Sequence, residues 1–227
     1  MAAYFAQQRA LHVWILPDGS EPWAAAQGLS RAAGHRAGVE AVRRTLDVAP
    51  GLGIGTLTLH PLSRDGWGLP AGEVGSLLDC TDGPLASETA ACLRNGVRVS
   101  VIGRRSRLPV DLLERIERSE AATACGRGLH LRLALDYSAR DAIVAALAKV
   151  RHGRTPESDV DLLVRTGCEQ RPGDFLPWEC ARAQLVFVPK PWPEFGPDDL
   201  ADAVVEFHRR KRRSGAPAGV PAPGARP

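Results

Sequence analysis

Two stretches of the chain bring together side chains suited to holding phosphate. The first, Asp18-Gly19-Ser20-Glu21-Pro22, has an acid, a flexible glycine, a capping serine and a helix-starting proline in that order. Exposed amides at a helix start attract phosphate, and a neighbouring carboxylate can hold the magnesium that accompanies a diphosphate. A plain capped turn has the same composition. The second, Arg165-Thr166-Gly167-Cys168-Glu169-Gln170-Arg171, sets two arginines around a small-residue turn and an acid. Arginine's planar fork suits diphosphate oxygens bidentately, whereas an internal Arg–Glu pair holding a loop is the other reading of the same residues. Taken together with His35 and the polar residues His60 and Ser63 after a second apolar run, the two stretches favour a diphosphate pocket.

These residues need a scaffold. Short apolar runs bounded by turn residues predict strands at Val13–Leu16, Thr56–Leu59, Val97–Ile102, Leu129–Leu135, Val160–Val164 and Leu185–Val188. Between them lie segments of helical character at Gly34–Val48, Ala86–Leu93, Val110–Ala124 and Ala139–Val150, a weaker one near Phe175–Ala181, and a last at Asp198–Arg212. The alternation predicts an α/β fold: one domain with a central, mostly parallel six-stranded sheet flanked by helices. Ligands of such sheets bind beyond the strands' carboxyl ends, where Asp18, His60, Ser63 and Arg165 all fall.

Composition narrows the class. The 227 residues suffice for one sizeable core, and 44% hydrophobic with 24% charged residues is ordinary for a soluble globular chain. The apolar stretch Leu11–Leu16 is too short to span a bilayer and lacks a cleavage-site pattern, so no transmembrane segment and a cytoplasmic location are expected. The five cysteines form no C-x-x-C pair and read as idle or buried thiols. A net charge of +3 does not imply nucleic acid. The run Arg209–Arg213 reads as a solvated helix end that complements the dipole, with a partner-binding patch as the other possibility. Residues 1–213 are expected to form the domain, and 214–227, rich in Pro, Gly and Ala, a disordered tail.

In order along the chain, His12-Val-Trp-Ile-Leu-Pro-Asp18-Gly19, Gly34-His35-Arg36-Ala-Gly38, Ser63 with Trp67, Pro70 and Glu73, Val101-Ile102-Gly103, Arg165 to Arg171 followed by Phe175-Leu176 and Trp178, Trp192-Pro193, and Arg212-Arg213-Ser214-Gly215 resemble the motifs of the cis-prenyltransferases, typified by undecaprenyl diphosphate synthase. The resemblance covers about His12 to Gly215. It implies that family's fold, a homodimer, and magnesium-dependent condensation of isopentenyl diphosphate onto an allylic diphosphate. By the same resemblance, Asp18 matches the essential acid at the metal and the allylic diphosphate, with Gly19, Arg31 and His35 beside it. Ser63, Arg165 and Arg171 match the residues that grip the second diphosphate, and Glu169 the acid within that arginine motif. Trp23, Leu62 and Trp67 match the hydrocarbon pocket, and Gln184 stands where the family has a metal-binding glutamate.

The chain departs from the pattern at several of these positions. The family's D-G-N-G-R-W reads Asp18-Gly19-Ser20-Glu21-Pro22-Trp23, and its W-x-R-P reads Trp67-Gly68-Leu69-Pro70, so two arginines are lost on the allylic side. Gly66 replaces an asparagine, Gly173 a serine and Gln184 the glutamate. Arg36 or Arg64 can restore positive charge or can face solvent. Thr81-Asp82-Gly83-Pro84 interrupts a region that is one long helix along the hydrocarbon tunnel of long-chain members, and the stretch between Val150 and Asp159 is short; both imply a small cavity. His60 stands where an aromatic is common and is either a proton acceptor or a strand-end histidine. These departures point first to a specialised enzyme making a short, irregular or cyclised product. The alternatives are a conventional chain-elongating cis-polyprenyl diphosphate synthase and a non-catalytic homologue that pairs with an active subunit.

Overall fold

A computed structural model of the protein describes residues 10–63, 68, 75, 89–144, 159–168 and 180–215. Strands β1 (Leu11–Leu16), β2 (Ile54–Ser63), β3 (Arg98–Ile102), β4 (His130–Tyr137), β5 (Leu162–Thr166) and β6 (Gln184–Val188) form one sheet in the order β3-β4-β2-β1-β5-β6. Every pairing is parallel. All six predicted strands are present. Val, Ile and Leu recur in every strand because a parallel sheet is covered on both faces; all six residues of β1, near the centre, are buried, and β2, β3 and β4 interleave polar residues among the apolar ones.

Helices α1 (Ser20–Ala26), α2 (Arg31–Val48), α3 (Val110–Thr123) and α4 (Pro197–Gly215) lie between and after the strands. One sheet face, with Val13, Ile15, Leu57, Leu59, Val99, Leu133 and Val164, packs into the main core against Ala41 of α2, Leu112 and Ile116 of α3, and Leu200, Val204 and Phe207 of α4. The opposite face carries a smaller cluster built on Trp14, Leu16, Ala134, Tyr137 and Leu163. Buried polar groups share that second face: Nε2 of His12 and Oγ1 of Thr58 are 2.9 Å apart, and Arg132 is also buried.

Helix ends show why some predicted boundaries moved. The cap of α2 is Ser30, whose Oγ accepts from the Ala33 N–H, so the helix begins before Gly34. Ser20 does not cap α1; Gly19 does, through its backbone alone, at φ 91°. α4 begins with Asp198 and Asp199 and ends with Arg212 and Arg213, matching both ends of the helix dipole. Within the basic run, Arg209 and Arg210 bind Glu206, and Arg210 also donates to the Leu185 carbonyl. The helix continues through Gly215, two residues past the expected domain end. Helical backbone at 89–94 and 139–144 agrees with two predicted helices; the segment near Phe175, the Thr81–Pro84 interruption, most of Val150–Asp159 and the tail lie outside the described residues. Cys92, Cys125, Cys168 and Cys180 are free thiols, two of them buried. Among the described residues no helix is long and apolar enough to cross a membrane.

Candidate functional site

The register of the sheet brings the two phosphate-suited stretches together. β1 lies beside β5 with Leu16 opposite Arg165, so the turn after β1 and the end of β5 meet at the carboxyl edge. There Arg165 Nη2 donates to Asp18 Oδ2 at 3.0 Å, and the Gly19 N–H donates to Oδ1 at 2.7 Å. The arginine side chain is 11% exposed and the carboxylate 45%, so the cation is the fixed partner and the acid faces outward.

The backbone of Asp18 is held more firmly than its side chain. Its N–H donates to Thr166 Oγ1 at 2.9 Å, the same hydroxyl lies 3.1 Å from its carbonyl, and the Trp192 N–H donates to that carbonyl at 2.8 Å. Thr166 is fully buried. Gly19 and Gly167 both have positive φ, 91° and 85°, and a Cβ on Gly19 would lie 3.0 Å from Pro191.

α2 supplies the other side of the site. A Cβ on Gly34 would come within 2.4 Å of the Ser20 carbonyl oxygen and 2.9 Å of Ala24 Cβ, so only glycine lets α1 and α2 approach this closely. That approach pairs Arg31 with Glu21 in the first turn of α1. The pairing partly neutralises the cation expected to serve the diphosphate, and Glu21 weakens the attraction of α1's start for an anion. His35 is half-buried; burial, and then the charge of Arg31, push its pKa below the usual histidine value. Its Nδ1 has no hydrogen-bond partner among the described residues.

His60 lies on the second face of the sheet, in edge contact with Trp14 at 6.0 Å and Tyr137 at 5.5 Å between ring centroids. Burial lowers its pKa to about 3, so it is neutral at neutral pH.

The remaining expected site residues fall as follows. Ser63 ends β2 opposite Tyr137, which puts its backbone at the carboxyl edge. Trp23 donates from Nε1 to Glu194 Oε1 at 3.0 Å. Leu62, expected in the hydrocarbon pocket, is 1% exposed and belongs to the main core. Strict alternation would place it on the face of Thr58 and His60, but the pairing of β2 with β4 shifts register between Leu59 and Leu62, around a proline that cannot join the ladder. Arg36 is exposed. Trp67, Arg171, Glu169 and Arg64 lie outside the described residues.

Gln184 opens β6 opposite Leu162, which pairs in turn with Val13. Asp18 lies beyond Leu16, at least three residues, or about 10 Å, further toward the carboxyl edge. The two therefore do not share one ion within a single chain. Gln184 Oε1 is buried and takes no hydrogen bond from a described residue. Among the described residues no group of three metal-ligating side chains forms. Asp18 offers an outward carboxylate, the kind of donor magnesium uses when substrate phosphates and water complete its shell.

Sequence reasoning missed Thr166 as the group that fixes Asp18, and it missed the Pro191–Phe195 turn. The one visible signal was the Trp192-Pro193 pair, quoted as a motif without a role.

The chain matches the Prenyltransf family model, described as "Putative undecaprenyl diphosphate synthase", over residues 16–215. It is 49% identical over 219 residues to isoprenyl transferase 1 of Bradyrhizobium diazoefficiens, spanning 90% of this chain and 89% of that one. Its fold is similar to the crystal structure of lavandulyl diphosphate synthase from Lavandula x intermedia in complex with dimethylallyl diphosphate, with a TM-score of 0.79, 30% identity, and 86% of this chain and 94% of that chain covered. It is also similar to that of "a probable undecaprenyl diphosphate synthase" from Campylobacter jejuni, with a TM-score of 0.76, 26% identity, and 92% and 100% covered. With a matched model across most of its length, a relative 49% identical over nearly both chains and a similar fold, the chain belongs to the cis-prenyltransferase family.

Proposed function

We propose that the protein is an isoprenyl transferase that condenses isopentenyl diphosphate onto an allylic diphosphate and elongates the chain in five-carbon steps. The observation that carries this reading is the Asp18–Arg165 pair, an outward carboxylate and a nearly buried guanidinium joined at the carboxyl edge of a parallel sheet. In the reaction, the allylic carbon–oxygen bond breaks with its electrons leaving on diphosphate. The alkene of isopentenyl diphosphate then attacks the allylic carbon, and the new cation loses a proton.

Asp18 would hold magnesium against the departing diphosphate, and the metal would neutralise the charge that develops there. Arg165 holds Asp18 in place and would grip a second diphosphate through its planar fork. Arg31 and His35 reach the first from α2. Arg171, Glu169 and Ser63 complete the second site in the family's pattern, while Trp23 and Trp67 would wall the hydrocarbon. A homodimer and a cytoplasmic location belong to the same proposal. In that dimer Gln184 would serve a metal only beside groups from the partner.

The 49% identity with an isoprenyl transferase over nearly both chains favours plain elongation over the short-chain or irregular product that the sequence departures suggested. Nothing favours cyclisation. Pro22 and Leu69 in place of arginines remain the features that favour the specialised reading. The retained Asp18–Arg165 pair argues against a non-catalytic homologue. The test is magnesium-dependent incorporation of labelled isopentenyl diphosphate into a solvent-extractable product by wild-type protein and its loss in Asp18→Ala; no incorporation with any allylic primer would refute the proposal.

A further inference from the structure

The turn from Pro191 to Phe195 touches each side of the candidate site. Its Trp192 N–H donates to the Asp18 carbonyl, and Pro191 abuts Gly19. Glu194 accepts from Trp23 on α1. The residue before it, Lys190, accepts through its carbonyl from the Gly167 N–H at 2.7 Å, next to the strand that carries Arg165. Two further links reach α2: Trp192 Nε1 donates to the Gly38 carbonyl at 2.9 Å, and Arg44 Nη2 donates to the carbonyls of Pro193 at 2.8 Å and Phe195 at 3.1 Å. Gly38 lets the indole this close, since a Cβ there would lie 3.1 Å from the ring.

Two of these contacts, to Asp18 and to α2, set one distance. Arg31 and His35 approach the diphosphate from the start of α2, whereas Asp18 approaches it from the β1 turn. α1, seven residues long, joins the two along the chain. The Pro191–Phe195 turn binds both, and Arg44 fixes the turn through two of its carbonyls.

We propose that Arg44, acting through the Pro191–Phe195 turn, is a positioning residue that sets the gap between Asp18 and the Arg31–His35 end of α2, and so tunes grip on the allylic diphosphate rather than on isopentenyl diphosphate. The inference rests on the assignment of the allylic diphosphate to Asp18, Arg31 and His35. The acceptor side is anchored separately: Arg165 sits within β5, held by its pairing with β1 and β6, which does not pass through Arg44.

The test is calorimetric binding of geranyl diphosphate and of isopentenyl diphosphate, each with magnesium, to full-length wild-type protein and to Arg44→Met, Arg44→Lys and Arg43→Met, with thermal melts of each. Arg44→Met is expected to weaken geranyl diphosphate about tenfold, since small displacements of binding groups carry large penalties, while isopentenyl diphosphate changes less than about twofold. Arg44→Lys recovers part of the loss, because one ammonium can still donate to both carbonyls. Arg43→Met removes an exposed pair with Glu40 and changes neither ligand. Where Arg44→Met melts too low to assay, Arg44→Gln takes its place with the same outcomes. Equal weakening of both ligands, or unchanged binding of both, overturns the inference. Wild-type protein that binds both diphosphates but forms no carbon–carbon bond refutes the proposed condensation and leaves this comparison readable, whereas wild-type protein that binds neither refutes both.

Discussion

Arg165 and Asp18 meet at 3.0 Å across two adjacent parallel strands, and it is the arginine, 11% exposed, that is buried and the acid, 45% exposed, that is offered to solvent. This asymmetry suits a carboxylate that must meet a metal and a substrate while its orientation is dictated from behind. Removing the acid should therefore cost far more activity than stability. Asp18→Asn is expected to lower turnover by about a thousandfold or more, since the carboxylate that would hold magnesium against the departing diphosphate is lost, while the melting temperature moves by only a few degrees because the acid is half-exposed and the amide oxygen can still accept from Arg165. Labelled isopentenyl diphosphate incorporation and a thermal melt on the same sample check both halves.

The lost cation after Gly19 leads to a gain-of-function prediction. Pro22 is exposed on α1, close to the Glu21–Arg31 pair. Pro22→Arg should raise kcat/KM for the allylic substrate by about tenfold or more, because a guanidinium would again face the departing diphosphate. Steady-state kinetics with geranyl diphosphate varied at saturating isopentenyl diphosphate decides it; a fall in kcat/KM would mean that the site has been rebuilt around the proline.

Close packing of α1 on α2 carries its own prediction. Gly34→Val places two methyl groups where even a Cβ comes 2.4 Å from the Ser20 carbonyl. The variant should lose about 1 to 3 kcal/mol of stability through overpacking, measured by denaturant unfolding. An unaltered midpoint would show that the two helices are not packed this tightly.

Burial of His60 predicts a pH dependence. Its folded pKa is depressed from 6.5 to about 3, so the unfolded chain binds this proton first as pH falls. The stability associated with the neutral ring is fully present above pH 6.5 and is lost progressively between there and about pH 3. His130, lowered to about 4 by burial and then by Arg98 and Arg132, adds a loss of the same sign. His60→Phe should therefore flatten the fall in unfolding free energy between pH 7 and pH 5 without abolishing it. Urea titrations at the two pH values test this, and an unchanged difference would contradict it.

Much of this architecture was legible in the sequence because a buried parallel sheet leaves an unmistakable record: six apolar runs, each followed by polar or turn residues. Asp18 and Arg165 were legible for the same reason, since both follow such runs. Thr166 was harder to see because its hydroxyl does its work on the backbone of a residue 148 positions earlier, and no local pattern announces that. Arg44 was hidden inside an ordinary helix. The turn of Leu62 into the main core was not legible, because strand alternation cannot foresee the register shift around Pro61. The cap of α1 was misassigned to Ser20 because a serine before a proline looks like a cap, whereas the backbone of Gly19, in a left-handed conformation, does that work.

The most direct measurement of the central claim is mass spectrometry of the products formed by purified protein with magnesium, isopentenyl diphosphate and, in separate reactions, dimethylallyl, geranyl and farnesyl diphosphate. The account predicts a product only when both substrates are present, with masses that rise in five-carbon steps from the primer. A product formed from one allylic diphosphate alone, or no product from any pair, would contradict it.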